Sequence, residues 1–250
     1  MNEPLIEARD LAVGYDGRVV LHDVTFTAGA GERLAVLGSN AGGKSTLLRA
    51  ILGELAPMAG TLVVHDRCGV VPQTERSRLD YPVSALDVAL MGTLGRLPWW
   101  RRPGRGDRRL AHAALDAVAL GEHADQAFGE LSGGQRQRAL VARALVQDAR
   151  IRLLDEPFSG MDGPSADALT GLIDRLAGEG RAVLIATHDV EQARAWDQVL
   201  CLNGRQIAFG RPAEVLTRAV IEETYGGAIV EVPGGDRGIL PAHHHGHDHA

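Results

Sequence analysis

The sequence predicts an α/β fold built on a largely parallel sheet, and three observations point there. Short apolar runs, RLAVL at 33–37, RIRLLD at 150–155 and RAVLIAT at 181–187, lack the polar alternation of a half-exposed strand and read as strands covered on both faces. Helical patterning separates them, as between about Ser165 and Ala177. Residues 84 to 120 carry helical periodicity, and the stretch from 84 to 145 reads as a helical insertion in the α/β frame.

The elements follow in chain order. Residues 3 to 27 read as short strands, LIEARDLAVGY and VVLHDVTFT, joined by a turn at Asp16-Gly17. After RLAVL, a glycine-rich stretch opens at Gly38 and a helix runs from Ser45 to Leu52. A turn around Pro57 to Gly60 leads into TLVVH and then CGVVPQ. The helical insertion is interrupted by RRPGRGDRR at 101–109, whose five arginines make an exposed basic loop. A further helix is predicted from Ser132 to about Gln147. Asn203-Gly204 sits between two strand-like runs, a hairpin signal. From Gly226 onward glycine, proline and histidine dominate, and most of this stretch reads as a mobile tail.

Composition narrows the function. With 250 residues, 45% hydrophobic and 23% charged, the chain suits one large domain or two small ones and is not disordered throughout. Its 26 basic against 32 acidic residues leave a net charge of −6, which argues against a nucleic-acid binder. Cys68 and Cys201 cannot build a disulfide framework and suit a reducing compartment. No apolar run approaches the roughly 20 residues of a membrane span. The opening MNEPLIEARD lacks the basic and apolar segments of a secretory signal. The expectation is a soluble, cytoplasmic protein.

Lys44 is the only lysine; every other residue among the 26 basic ones is arginine. A chain that keeps one ammonium has a site where a flat, forked guanidinium will not serve. That site is Gly38-Ser39-Asn40-Ala41-Gly42-Gly43-Lys44-Ser45, which fits G-x-x-x-x-G-K-[ST] between a strand and a helix. In such a loop successive N–H groups turn inward on phosphate oxygens, and the helix adds its positive end. Lys44 reaches the β- and γ-phosphates, and the Ser45 hydroxyl ligates Mg²⁺. Downstream, Asp155-Glu156 closes a strand. Strand-terminal acids are common, but here the first can hold the magnesium's water shell and the second can polarise an attacking water.

Leu131-Ser132-Gly133-Gly134-Gln135 decides the family. The chain resembles the ATP-binding cassette (ABC) ATPases, whose signature reads LSGGQ, over roughly residues 3 to 225. The resemblance implies a P-loop NTPase cassette with a RecA-like core, an antiparallel β subdomain and an inserted helical signature subdomain. It places the ATPase domain at 1–226, with the helical part at about 84–145, and the tail at 227–250. It also implies that Tyr15 stacks on adenine and that Gly38 to Ser45, with Thr46, hold the phosphates. Gln73 in VPQ becomes a magnesium ligand and catalytic residue. Ser132, Gly133, Gly134 and Gln135 meet the γ-phosphate of ATP bound to a second subunit, and Asp162 closes the D-loop, 159–162. Asp155 holds magnesium, Glu156 is the catalytic carboxylate, and His188 in ATHD is the switch histidine. An ordinary strand aromatic is the alternative for Tyr15, and from spacing alone His188 reads as a satisfied strand-end histidine.

Three departures stand out. Ala41 and Gly42 look exchanged relative to the family's loop, and if position 41 has positive φ, alanine there costs roughly 1–2 kcal/mol. The D-loop reads SGMD where SALD is common, and Arg152 interrupts the apolar strand before Asp155.

The resemblance further implies a homodimer closing head-to-tail over two ATP, docked on a separate membrane permease at the inner face of the cell membrane. An extracytoplasmic metal-binding protein would deliver the cargo. DVALMGTLGRLPWWRRPGRGDRR and FSGMD resemble the zinc/manganese branch of importers, with zinc first and manganese next. Iron-chelate import is the nearest alternative, and a non-transport ABC ATPase a remoter one. Trp99 and Trp100 are also explained as packing or partner-facing aromatics. Finally, His243, His244, His245, His247 and His249 fall within seven residues and could hold zinc, although an expression tag or an idle low-complexity tail has the same composition.

Overall fold

The computed structural model describes residues 3–71, 82–95, 97–98, 100–147, 149–227, 229–231 and 237–239. The chain divides into two compact units: Met1–Glu7, Thr27–Leu34 and Val63–Ala186 form the first, and Ala8–Phe26, Ala35–Leu62 and Thr187–Ala250 the second.

In the first unit, β5 (Cys68–Val71), β6 (Ile151–Asp155) and β7 (Ala182–Thr187) pair in parallel, in that order. The register sets Val71 opposite Leu154 and Asp155 opposite Ala186. Ile151 to Leu154 and Ala182 to Ala186 are buried. Both faces of these strands are covered, which is why their sequences run apolar without alternation. The helix α5 (Gly163–Gly178) between β6 and β7 buries Leu169, Leu172, Ile173 and Leu176 on one stripe. Its Asp174 carboxylate pairs with Arg33 at 2.5 Å.

The helical insertion is a three-helix cluster of α2 (Ala85–Met91), α3 (Arg105–Ala117) and α4 (Gly133–Val146), each packing on the other two. Ser84 and Asp87 form a reciprocal cap at the start of α2. Ala111, Ala114 and Leu115 of α3 and Ala139, Leu140 and Ala142 of α4 supply buried small and aliphatic side chains. The basic 101–109 segment is not all loop, because α3 starts within it at Arg105. All five of its arginines are exposed.

In the second unit, β1 (Pro4–Tyr15, from Ala8) and β2 (Arg18–Gly29, to Phe26) meet at Asp16-Gly17. Both turn residues have positive φ, +49° and +77°, as a tight turn between right-twisted strands requires. β3 (Arg33–Gly38) leads into the glycine-rich loop and α1 (Lys44–Ile51). From Ala35 onward it neighbours β8 (Gln198–Leu202), which pairs antiparallel with β9 (Gln206–Gly210) around Asn203-Gly204. After β9 come two short helices, α7 (Pro212–Val215) and α8 (Arg218–Tyr225). β4 (Ala59–Val64) and α6 (Val190–Arg194) complete the elements up to Tyr225.

Part of the stretch after Gly226 is paired. Past Gly226 the backbone of β10 (Ile229–Glu231) pairs antiparallel with β11 (Arg237–Ile239). The physical reason lies in the sequence, where IVEV and RGIL flank the turn formers Pro233, Gly234, Gly235 and Asp236. Residues 240–250, with the histidine cluster, lie outside the described residues, as do Gln73 and Trp99.

Candidate nucleotide site

The second unit carries Tyr15, the 38–46 loop and His188; the first carries Asp155, Glu156, the 132–135 string and the 159–162 loop.

The phosphate loop is shaped by steric demand. Gly42 N donates to Ser39 O at 3.0 Å, and Gly204 N of the β8–β9 turn donates to Gly42 O at 3.2 Å. A Cβ on Gly38 would lie 2.5 Å from the Leu202 carbonyl oxygen, and one on Gly42 would lie 2.8 Å from the same atom. Neither position can carry a side chain while that carbonyl stays in place. The left-handed residue is Gly43, at φ +97°, where it caps α1. Ala41 is not among the positive-φ residues and is exposed. The strain expected at Ala41 is therefore absent. Glycine stands at 42 because of space and at 43 because of conformation.

The N-cap of α1 is Gly43, which has no side chain to cap with, and the first turn of the helix holds no acid. The positive end of a helix that starts without an acid suits an anion. Lys44 is 5% exposed, and its Nζ donates to Gly38 O at 2.6 Å and Ser39 O at 3.1 Å. A compact ammonium can turn three donors in so small a space; a guanidinium cannot. Ser45, exposed in the first turn of α1, and Asp155, at the end of β6, are hard oxygen donors of the kind magnesium takes.

Tyr15 ends β1, and Arg49 of α1 lies over its ring at 5.8 Å from the centroid and donates to its hydroxyl at 3.4 Å. Burial raises the phenol's pKa, but hydrogen bonding with Thr46 and Arg49 outweighs it, so the hydroxyl sits below its ordinary range. The ring is fixed by these contacts, and Arg49 occupies one face as a cation–π partner. His188 follows β7 and is exposed. Its backbone carbonyl accepts from the Tyr225 hydroxyl at 2.6 Å. On its far side, Asp189 caps α6 by accepting from Glu191 N and Gln192 N at 2.8 and 3.2 Å. The tyrosine contact was invisible in the sequence.

In the first unit, Glu156 leaves the β6 ladder in the left-handed region at φ +47°, and its N–H donates to Ala186 O at 3.0 Å. Such a conformation costs a non-glycine residue on the order of 1 kcal/mol and is held by its surroundings. Arg152, fully buried in β6, donates to Leu145 O near the end of α4 at 3.4 Å. Room for it comes from Gly69, where a Cβ would stand 2.4 Å from the guanidinium. The signature string starts α4. Ser132 Oγ accepts from Gln135 N at 3.2 Å, and Gln135 Oε1 accepts from Ser132 N at 2.8 Å. A Cβ on Gly133 would meet nothing within 4 Å, and one on Gly134 would lie 3.4 Å from Gly160 O. Gly160 itself has φ +70°, which accounts for glycine in SGMD. Asp162 accepts from Ser165 N at 2.9 Å to cap α5; these bonds to Ser165 hold its carboxyl below the usual range.

Among the described residues no group of three or more His, Cys, Asp and Glu is placed to hold a metal ion, and no helix is long and apolar enough to cross a membrane.

Comparison with known proteins identifies the family. The family model described as ABC transporter matches residues 21–159. The chain is 37% identical over 235 residues to the manganese transport system ATP-binding protein MntB of Halalkalibacterium halodurans, covering 90% of this chain and 94% of that one. It is 39% identical over 233 residues to the zinc transport system ATP-binding protein TroB of Treponema pallidum, covering 90% and 88%. Among solved structures, an ABC transporter in an inward-facing conformation is 31% identical with a TM-score of 0.83, covering 97% of this chain and 98% of that one. The ADP conformation of another ABC transporter's ATP-binding cassette, 22% identical with a TM-score of 0.76 over 90% and 100%, shares the fold.

Proposed function

The chain belongs to the ABC transporter family and is an ATPase, and we propose that it drives uptake of a divalent transition-metal ion through a separate membrane permease. The observation that carries the cargo is the pair of full-length relatives, one described as a manganese and one as a zinc transport ATP-binding protein. Zinc is the reading favoured here, with manganese next; the histidine-rich 243–249 segment supports it, since clustered imidazoles suit zinc.

Residues 1–226 form the ATPase domain and 227–250 a tail. Two copies close head-to-tail, each giving its 132–135 string to ATP held by the other's 38–46 loop. Gly133 is compatible with this: among the described residues a Cβ there would meet no atom within 4 Å, which leaves room for a partner at the start of α4. The dimer sits at the inner face of the cell membrane, and an extracytoplasmic binding protein delivers the ion.

Lys44 and the glycine-led start of α1 orient the β- and γ-phosphates, and Tyr15 stacks on the base. Ser45, Asp155 and Gln73 would hold magnesium, which would supply charge neutralisation at the phosphates. Glu156 accepts a hydrogen bond from the attacking water and aligns it with the γ-phosphorus, and His188 stabilises the transferring charge.

Growth of a strain lacking this chain under metal chelation is the test. Rescue by zinc supports the zinc reading, rescue by manganese alone changes the cargo, and rescue by neither overturns metal uptake. For the tail, zinc titration of residues 1–241 against the full chain decides. Binding should be modest and lost below about pH 6 as the imidazoles protonate. Equal stoichiometry and affinity in both chains would remove the tail as a metal site.

A further inference from the structure

We propose that Tyr225 is a positioning residue for hydrolysis, acting through His188; the inference rests on the reading of His188 as the switch. The Tyr225 hydroxyl donates to the His188 carbonyl at 2.6 Å, at the short end for an O–H···O bond. The residues either side of His188 are held locally. Asp189 N donates to Thr187 Oγ1 at 3.1 Å, and the Asp189 carboxylate caps α6. The His188 peptide itself is held from another element, and α8 supplies the donor.

That donor is itself immobilised. Ile221 and Thr224 are buried, and Thr224 Oγ1 donates to Val220 O at 2.6 Å. Asn203 Nδ2 donates to Glu223 O at 2.9 Å, and Arg205 pairs with the Glu223 carboxylate. Both partners flank the Gly204 whose N–H holds Gly42 O of the phosphate loop. The β8–β9 turn thus fixes α8 and the phosphate loop in one register. Tyr225 carries that register to the residue that must face the γ-phosphate. A hydrogen bond that holds the backbone of a reacting group should act on the transition state more than on nucleotide binding, because misplacement harms the charge-bearing geometry first.

The experiment is steady-state ATPase kinetics of the full chain carrying Tyr225→Phe, alone and combined with His188→Ala, with thermal melting of each. The expected result is a kcat reduced about fivefold with KM within twofold and the melting temperature little changed. In the His188→Ala background, read at high enzyme concentration, the tyrosine change should have no further effect. A Tyr225→Phe chain with parental kcat overturns the inference, as does the same fivefold loss on top of His188→Ala. If His188→Ala alone keeps parental activity, the switch reading fails and takes this one with it. A crippled His188→Ala chain beside a fully active Tyr225→Phe chain fails the present inference alone.

Discussion

Two glycine-rich helix starts, α1 and α4, are the ones proposed to meet nucleotide, and they are built by different means. At α1 the N-cap is Gly43, left-handed and without a side chain, and the Leu202 carbonyl forbids a side chain at Gly42. At α4 the cap is complete, with Ser132 and Gln135 satisfying each other's backbone, and Gly133 meets open space. The first start is shaped from within, by its own hairpin. The second is capped as a local structure, and no described neighbour outside its helix requires glycine at 133. Glycine at a helix start therefore has two readings, and the neighbours of a hypothetical Cβ separate them.

The largest effect should come from Glu156→Gln, which keeps shape but loses the carboxylate that accepts from water. Turnover should fall about 10²–10⁴-fold, and gel filtration with ATP should show a dimer locked across the α4 start. Near-parental turnover would remove Glu156 from the chemistry. Next, Lys44→Arg should be nearly as harmful as Lys44→Ala, each weakening ATP binding about 100-fold by titration, because the two-carbonyl seat fits an ammonium. An arginine variant that binds normally would break the argument from the single lysine.

The comparison itself is sharpened by a matched pair. Gly42→Ala should weaken ATP binding about tenfold, since a 2.8 Å clash with backbone costs roughly 1–3 kcal/mol. Gly133→Ala should leave binding and melting temperature intact, yet reduce turnover and ATP-driven dimerisation by a similar factor. If Gly133→Ala instead lowers the melting temperature, α4 is not the finished structure described. Smallest of all, Ala41→Gly should change ATP affinity less than twofold, because Ala41 is unstrained.

Much of this was legible in the residues. The strands at 151–155 and 182–187, the phosphate loop and the Asn203-Gly204 turn announce themselves, because burial and turn chemistry act locally. What escaped depends on distant partners. The exchange at Ala41-Gly42 looks like a defect until Leu202 is placed beside it. Arg152 looks misplaced until Gly69 makes room. The short α8 gives little apolar signal, so the contact from Tyr225 to His188 had no trace along the chain.

The buried Lys44 has a practical consequence. A protease that cuts only after lysine has one target in this sequence, and folding hides it against two carbonyls. Cleavage into 1–44 and 45–250 then counts openings of a single loop, at a rate set by the free energy of local unfolding. Nucleotide that seats on α1 should slow that cut in proportion to occupancy, which turns one residue into a built-in gauge of how often the site breathes.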